Sequence, residues 1–462
     1  MTRPVLRLTI AAVLAASHSQ FVTEFGLAAD RDGPVAAPGS HRVWLPLDGQ
    51  RHPTGTHSGS KDRGWISTWA AANQRGLLAE VSAGTLAPGD YTSVFQVYHK
   101  QYAGRKLGNM RLLQNGNVVE QRELVSETFP DFAVGGYQRG TLAFTIPQKG
   151  DGYTLDLDYY NNHYIWLGAV ALHRNGRPIY VMGHHCNTTA KVQRMIEAGA
   201  IGVEFDIQAV EGPTSEPFEI AVYHAGDKDN EFTPAPQFDA FLREIKTSID
   251  SEKLTLAMLD CKTTYFRRSS LLEPYVNPRA FKKTDLTNYA RSVVAKLKAA
   301  GIHPQFVVLS VPKNDAAEFF AEVKKQDYAC SLDAYFESYP SKETTPCDAI
   351  RNWAQGVEQT GATFAGVGLD EKVRGPFFTY AYWLNELLKR RDVSGKINKV
   401  WFWTVNNQRD TRRILDYGAD GILTDNPAMV TSILREEPYG RIFRLASQDD
   451  SHRQVFSGGT AR

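Results

Sequence analysis

Three acids, three histidines and a lysine carry the chemistry that this sequence can do. Glu204 and Asp206 stand two residues apart, as do Asp260 and Lys262; His184 and His185 adjoin, and His224 follows. In an extended strand, side chains alternate between faces, so each pair spaced by two points one way. Like charges this close repel unless a cation lies between them. Three carboxylates without cysteine suit a hard, oxygen-ligated ion, Mg²⁺ or alternatively Ca²⁺. The competing reading is a set of structural ion pairs; three acids on neighbouring strand ends favour the metal. His184 and His224 are the expected acid–base pair, because an unshifted imidazole titrates near neutrality. Strand alternation puts only one of His184 and His185 inward, with His184 preferred. Lys262 offers a point charge to a phosphate oxygen or pairs with one of the acids. Trp403 stacks on a cationic headgroup or closes the top of the site.

These residues need a scaffold that brings distant segments to one rim. From about residue 178, short apolar runs alternate with helical segments. The runs at 178–183, 202–210, 253–260, 306–311, 330–337, 363–369, 399–405 and 421–426 make eight strands. That count predicts a TIM-type (β/α)8 barrel, whose parallel strands all open their C-terminal ends on one face. The polar residues fall at those ends. The long segment 211–235 reads as the loop that carries His224.

The first part of the chain has a different rhythm. Between 41 and 176, short alternating runs are separated by turn residues, with hairpin-type signals at Asn115-Gly116 and Asn175-Gly176. This predicts an antiparallel β-sandwich accessory domain. Tyr159, Tyr160, Tyr164 and Trp166 fill its core or form a sugar- or lipid-binding face. The accessory domain is expected to be separable from the barrel at 177–440, followed by a polar tail at 441–462.

With 462 residues, two domains are expected. A net charge of +1 gives no basic excess, so no nucleic-acid partner is expected. Arg3 and Arg7 precede a short apolar run, which reads as a signal peptide over 1–19 with a linker at 20–40; secretion follows. Cys330 and Cys347 flank a polar loop and could be bridged, whereas Cys186 and Cys261 read as small buried hydrophobes.

The motifs GHHCN at 183–187, GVEFDIQ at 202–208, YH at 223–224 and LDCK at 259–262 resemble those of spider-venom sphingomyelinase D. The stretch INKVWFWTVNNQRDTRRILDYGADGILTDNP at 397–427 does too. That family is related to the glycerophosphodiester phosphodiesterases. The resemblance covers about 178–437. It implies catalytic His184 and His224, a Mg²⁺ site at Glu204, Asp206 and Asp260, and substrate-binding Lys262 and Trp403. It further implies a secreted phospholipase D-like enzyme acting on sphingomyelin or lysophospholipids. In that chemistry a substrate hydroxyl attacks its own phosphodiester to give a cyclic phosphate. Peripheral contact with a membrane surface is a possible accompaniment.

Two departures stand out. HAGDKDNEF at 224–232 replaces a cysteine-bearing loop, and Asn406 and Asp425 exchange the family's usual Asp and Asn. The alternatives are hydrolysis of soluble glycerophosphodiesters and a lectin-like protein with an inactive barrel. The intact set of acids and histidines argues against the latter.

Overall fold

The computed structural model describes residues 42–44, 66–67, 76–99, 104–126, 136–159, 165–210, 218–224, 232–268, 275–312, 315–334, 354–368, 386–388, 390–391 and 396–450. The expected signal peptide and linker, Tyr160, Tyr164 and Cys347 lie outside these residues.

The first nine strands are β1 (Arg42–Trp44), β2 (Ile66–Ser67), β3 (Gly76–Leu86), β4 (Gly89–His99), β5 (Lys106–Gln114), β6 (Asn117–Val125), β7 (Gly136–Ile146), β8 (Gly150–Tyr159) and β9 (Ile165–Arg174). They form two antiparallel sheets, β1-β9-β4-β7 with β2 beside β9, and β3-β8-β5-β6. One apolar cluster draws on both: Phe95, Leu142 and Val170 from the first, Leu112, Leu124 and Leu155 from the second. Alternation produces this, since each strand gives every second side chain to the space between layers.

The two turn signals part company. Asn115 (φ 51°) and Gly116 (φ 81°) both take left-handed backbone, as a tight hairpin turn requires, and join β5 to its partner β6. At the second signal only Gly176 (φ 75°) does so. That turn leads from β9 into β10 (Arg177–Gly183), which pairs in a different sheet.

β10 opens the barrel. The other walls are β11 (Gly202–Val210), β13 (Leu256–Arg268), β15 (Val307–Pro312), β16 (Ala329–Ala334), β17 (Phe364–Gly368), β18 (Lys399–Trp403) and β19 (Gly421–Thr424). Eight parallel strands run in the order β10-β19-β18-β17-β16-β15-β13-β11, and β11 pairs β10 to close the ring. β12 (Glu219–Val222) folds back antiparallel on β11, and β14 (Tyr275–Ala280) does so on β13. Tyr180, Met182, Leu256, Met258, Val308, Phe364, Trp401 and Leu423 fill the interior. The two indoles fit because glycines face them. A Cβ on Gly421 would come within 2.3 Å of Trp401, and one on Gly368 within 2.5 Å of Trp403.

The tail expected after 440 needs correcting, and a junction between the two halves bears on whether they separate. The tail after 440 is part of the barrel at least to Asp450. β20 (Phe443–Leu445) pairs with β10, Ala446 joins the interior cluster, and Gln448 Nε2 donates to the carbonyls of Ile249 (2.7 Å) and Leu254 (2.9 Å). A polar composition misled there because short β pairing needs only backbone groups. The β layers, for their part, are joined to the barrel by a buried junction. Asp416, 1% exposed, accepts from Gln96 Nε2 (3.0 Å), Arg139 Nε (2.8 Å) and Tyr439 OH (2.7 Å). His173 Nε2 lies 3.1 Å from its carbonyl, and Val94 and Ala171 belong to the barrel's apolar cluster. Such a junction resembles a divided core more than a loose tether.

Cys186, Cys261 and Cys330 are buried, and none forms a disulfide among the described residues; the partner expected for Cys330, Cys347, lies outside them. Each sits in the apolar cluster outside the barrel wall. Cys261 is there because it alternates with Asp260 and Lys262, which face inward.

Candidate active site

The interior columns explain the site. Along β11 the period of two runs Gly202, Glu204, Asp206; along β13 it runs Leu256, Met258, Asp260, Lys262. Asp206 and Asp260 are direct register partners. One carboxylate oxygen from each of Glu204, Asp206 and Asp260 lies within 4.8 Å of the others. Glu204 and Asp206 are buried at 3% and 0% exposure.

Electrostatics divides the three. Burial, then the charges of Asp206 and Asp260, push the Glu204 carboxyl well above its ordinary value. Asp260 is raised chiefly by burial. Burial also opposes ionisation of Asp206, but Lys262, His185 and His224 together outweigh it and hold that carboxyl below the usual range. Lys262 Nζ pairs with Asp206 Oδ1 at 2.8 Å and with Asp260 Oδ2. One lysine stands among three acids that disfavour one another's charge, and the donors are hard oxygens. The set fits a metal ion of that kind.

Asn187 fixes Asp206 from two directions: its Nδ2 donates to Asp206 Oδ2 (3.0 Å), and its Oδ1 accepts from Asp206 N (2.9 Å). Its carbonyl accepts from Thr233 Oγ1 (2.8 Å), tying the rim loops together. Tyr223 N donates to Asp206 O (3.0 Å), and the β12 turn-back thereby delivers His224.

The three histidine rings form a row. His184 and His185 stack with centroids 3.7 Å apart, and His185 lies 4.6 Å from His224. The expectation that alternation turns one of the first two outward fails here. β10 ends at Gly183, and His185 takes left-handed backbone (φ 51°), which swings its ring back over the site. Its backbone N–H donates to Glu204 Oε2 at 2.7 Å. Burial, then neighbouring His184, lower the His185 ring to about 3.

His184 is held at both nitrogens. Nδ1 lies 3.0 Å from Asp425 Oδ1, and Nε2 lies 3.2 Å from Thr404 Oγ1. Asn406 Nδ2 donates to Asp425 Oδ2 (2.6 Å), while Asn406 Oδ1 accepts from Asp425 N (2.9 Å). The exchanged Asn406 and Asp425 thus keep a polar contact to the histidine. Burial raises Asp425, but hydrogen bonds from His184 and Asn406 bring it down to about 2.

Capped helices anchor these loops. Thr188, Asn407 and Asn426 each accept a backbone N–H of the helices α1 (Thr189–Glu197), α5 (Gln408–Tyr417) and α6 (Pro427–Ile433); α2 (Phe238–Asp250), α3 (Lys283–Ala299) and α4 (Ala316–Lys324) lie between.

The structure gathers His184, His224, Glu204, Asp206, Asp260 and Lys262 on one rim, with Trp403 against Gly368 at the top of β18. Sequence reasoning missed Asn187 and Thr404, and saw Asn406 and Asp425 only as a reciprocal exchange that could preserve a polar contact around the histidines. Asn187 stood inside the GHHCN motif, so only its partner was invisible.

The closed parallel barrel with this rim is that of a phospholipase D-like phosphodiesterase, as its match to a family model and to toxin relatives shows. The family model described as dermonecrotic toxin SPH matches residues 174–452, and the chain belongs to that family. It is 27% identical over 300 residues to the dermonecrotic toxin LrSicTox-alphaIA1ii of Loxosceles reclusa, covering 62% of this chain and 92% of that one. It is 28% identical over 293 residues to LbSicTox-alphaIB1a of Loxosceles boneti, covering 61% and 99%. Among solved structures, a glycerophosphodiester phosphodiesterase from Parabacteroides distasonis matches with 16% identity and a TM-score of 0.38, over 56% of this chain and 98% of that one.

Proposed function

We propose that the chain is a secreted, Mg²⁺-dependent enzyme that removes the headgroup from sphingomyelin or a lysophospholipid, leaving a cyclic phosphate. The observation that carries this reading is the meeting of an acid triad with an aspartate-held histidine on one rim. Glu204, Asp206 and Asp260 would hold the ion. When bound, Mg²⁺ supplies charge neutralisation and Lewis acidity for the phosphodiester.

The protein's own groups do the rest. Asp425 accepts from His184 Nδ1, which leaves Nε2 basic and oriented. His184 takes the proton of a substrate hydroxyl as its oxygen bonds to phosphorus. The bond from phosphorus to the headgroup oxygen breaks, and His224 protonates the leaving alcohol. Intramolecular attack needs no bound water, only positioning. Lys262 meets a phosphate oxygen, and Trp403 offers a face to a cationic headgroup.

Residues 41–176 are proposed as an accessory β domain and 177–450 as the catalytic barrel. Among the described residues, no helix is long and apolar enough to cross a membrane. The proposed enzyme meets its lipid peripherally, at a membrane surface.

Phosphorus NMR of products from a panel of phosphodiesters tests the reading. A cyclic phosphate from sphingomyelin or a lysophospholipid supports it. Linear products from soluble glycerophosphodiesters alone would replace it with plain hydrolysis.

A further inference from the structure

Asp206 belongs to two clusters. Beside the all-oxygen triad, it forms a second group with His185 and His224, whose ligand atoms also lie within 4.8 Å of one another. His185 Nε2 is 3.7 Å from Asp206 Oδ2. Three features hold this group together. Asn187 fixes the Asp206 carboxylate, His185 is packed between two other rings, and the left-handed backbone at 185 aims its ring inward.

The chemistry of the two donor sets differs. Three carboxylates favour Mg²⁺ or Ca²⁺, whereas two imidazoles and one carboxylate favour a borderline transition ion such as Zn²⁺. We propose that His185, Asp206 and His224 bind Zn²⁺ at a second, inhibitory site that shares Asp206 with the carboxylate triad. The inhibition rests on the assignment of His224 as the general acid. A zinc ion on one nitrogen of His224 prevents the ring from becoming imidazolium, and the N–H left on the other nitrogen is a far weaker acid, so the leaving alcohol is no longer protonated. His185 is the residue that makes the second set, and its side chain has no part in the proposed reaction.

The test uses the full chain in saturating Mg²⁺. Co²⁺ serves as a spectroscopic probe, its visible absorption reporting nitrogen ligation without reference to activity. Zn²⁺ is titrated separately by calorimetry and against phosphodiesterase rate. The variants are His185→Asn, suited to left-handed backbone, and His185→Gln. In the unaltered protein, Co²⁺ should develop the absorption of a low-coordinate site, and Zn²⁺ should displace it while activity falls in parallel. Both variants should keep the Mg²⁺-dependent rate and bind Zn²⁺ roughly 10–100-fold more weakly, the scale for disturbed metal sites.

Equal Zn²⁺ affinity in the variants overturns the site. Zinc inhibition that disappears as Mg²⁺ is raised overturns it too, because the ion is then competing at the carboxylate triad. If the phosphodiesterase reading fails instead, no substrate is turned over, yet the Co²⁺ spectrum and its loss in the variants still report the site.

Discussion

The two ends of the barrel carry opposite charge imbalances and resolve them differently. At the rim, three carboxylates share one lysine. At the floor, one carboxylate meets three cations: Asp420 pairs with Arg177 and, at 2.7 Å, with Arg391, while Lys399 is buried nearby. The floor is closed by the chain itself. Arg177 Nη1 donates to Gly418 O (2.8 Å), and Val400 N donates to Asp420 Oδ2 (2.8 Å). Excess positive charge there finds carbonyl oxygens at the end of α5. At the rim, Lys262 and the backbone N–H of His185 meet the acids, and three carboxylates still outnumber the one lysine. A rim of this kind calls for a cation from outside, whereas the floor supplies its own partners. In parallel barrels the first end does chemistry and the second confers stability.

The largest effect should come from the rim. Chelation, or Asp260→Asn, should lower activity by about 10³-fold or more, since the ion offsets several kcal/mol of phosphate charge. Circular dichroism and the melting temperature should show a folded chain. Full activity in excess chelator would end the metal reading.

His184→Ala and His224→Ala should each cost about 10²-fold or more in kcat, the usual scale of acid–base catalysis. His185→Ala should remain active. A dead His185 variant beside an active His184 variant would reverse the assignment.

At the floor, the sign of the outcome changes. Asp420→Asn leaves buried Arg177 and Arg391 without their charge partner, which costs about 3–5 kcal/mol of stability. Denaturant midpoints should fall, while kcat per folded molecule stays the same. A selective loss of kcat would show that the floor also shapes the site.

The junction tests whether the β layers belong to this stability half. Asp416→Ala removes an acceptor used by Gln96, Arg139 and Tyr439, and should cost about 2–3 kcal/mol. A chain begun at 176 should be less stable still. A truncated barrel that melts like the full chain would restore the picture of a detachable module.

The smallest effect is a pH slope. Burial lowers Lys399 to about 7, far below the usual lysine value near 10.4. Between those pH values the unfolded chain binds the extra proton, so this group makes stability rise with pH. Below about 7 both states are protonated and its penalty is constant. Lys399→Met should therefore be more stable than the parent at pH 7, and the difference should shrink toward pH 10. The slope cannot exceed about 1.4 kcal/mol per pH unit. A constant difference in melting temperature across that range would show that Lys399 does not titrate there.

The sequence by itself determined the barrel and most of its rim. Period-two spacing aligned Glu204 with Asp206 and Asp260 with Lys262, and the alternation of runs and helices placed them on one end. Those are local properties: a strand's pleat and a helix's repeat are set by neighbours in the chain. What it left open are properties of pairs far apart. The union of His184 with Asp425, the Asn187 clamp on Asp206 and the Asp416 junction join residues separated by 241, 19 and up to 320 positions. No spacing rule reaches across such gaps. His185 was misjudged for a smaller reason. Alternation holds only while the strand continues, and β10 stops at Gly183. The fate of the tail after 440 was likewise tertiary, because three residues of backbone pairing against Arg177–Ile179 leave no mark on composition.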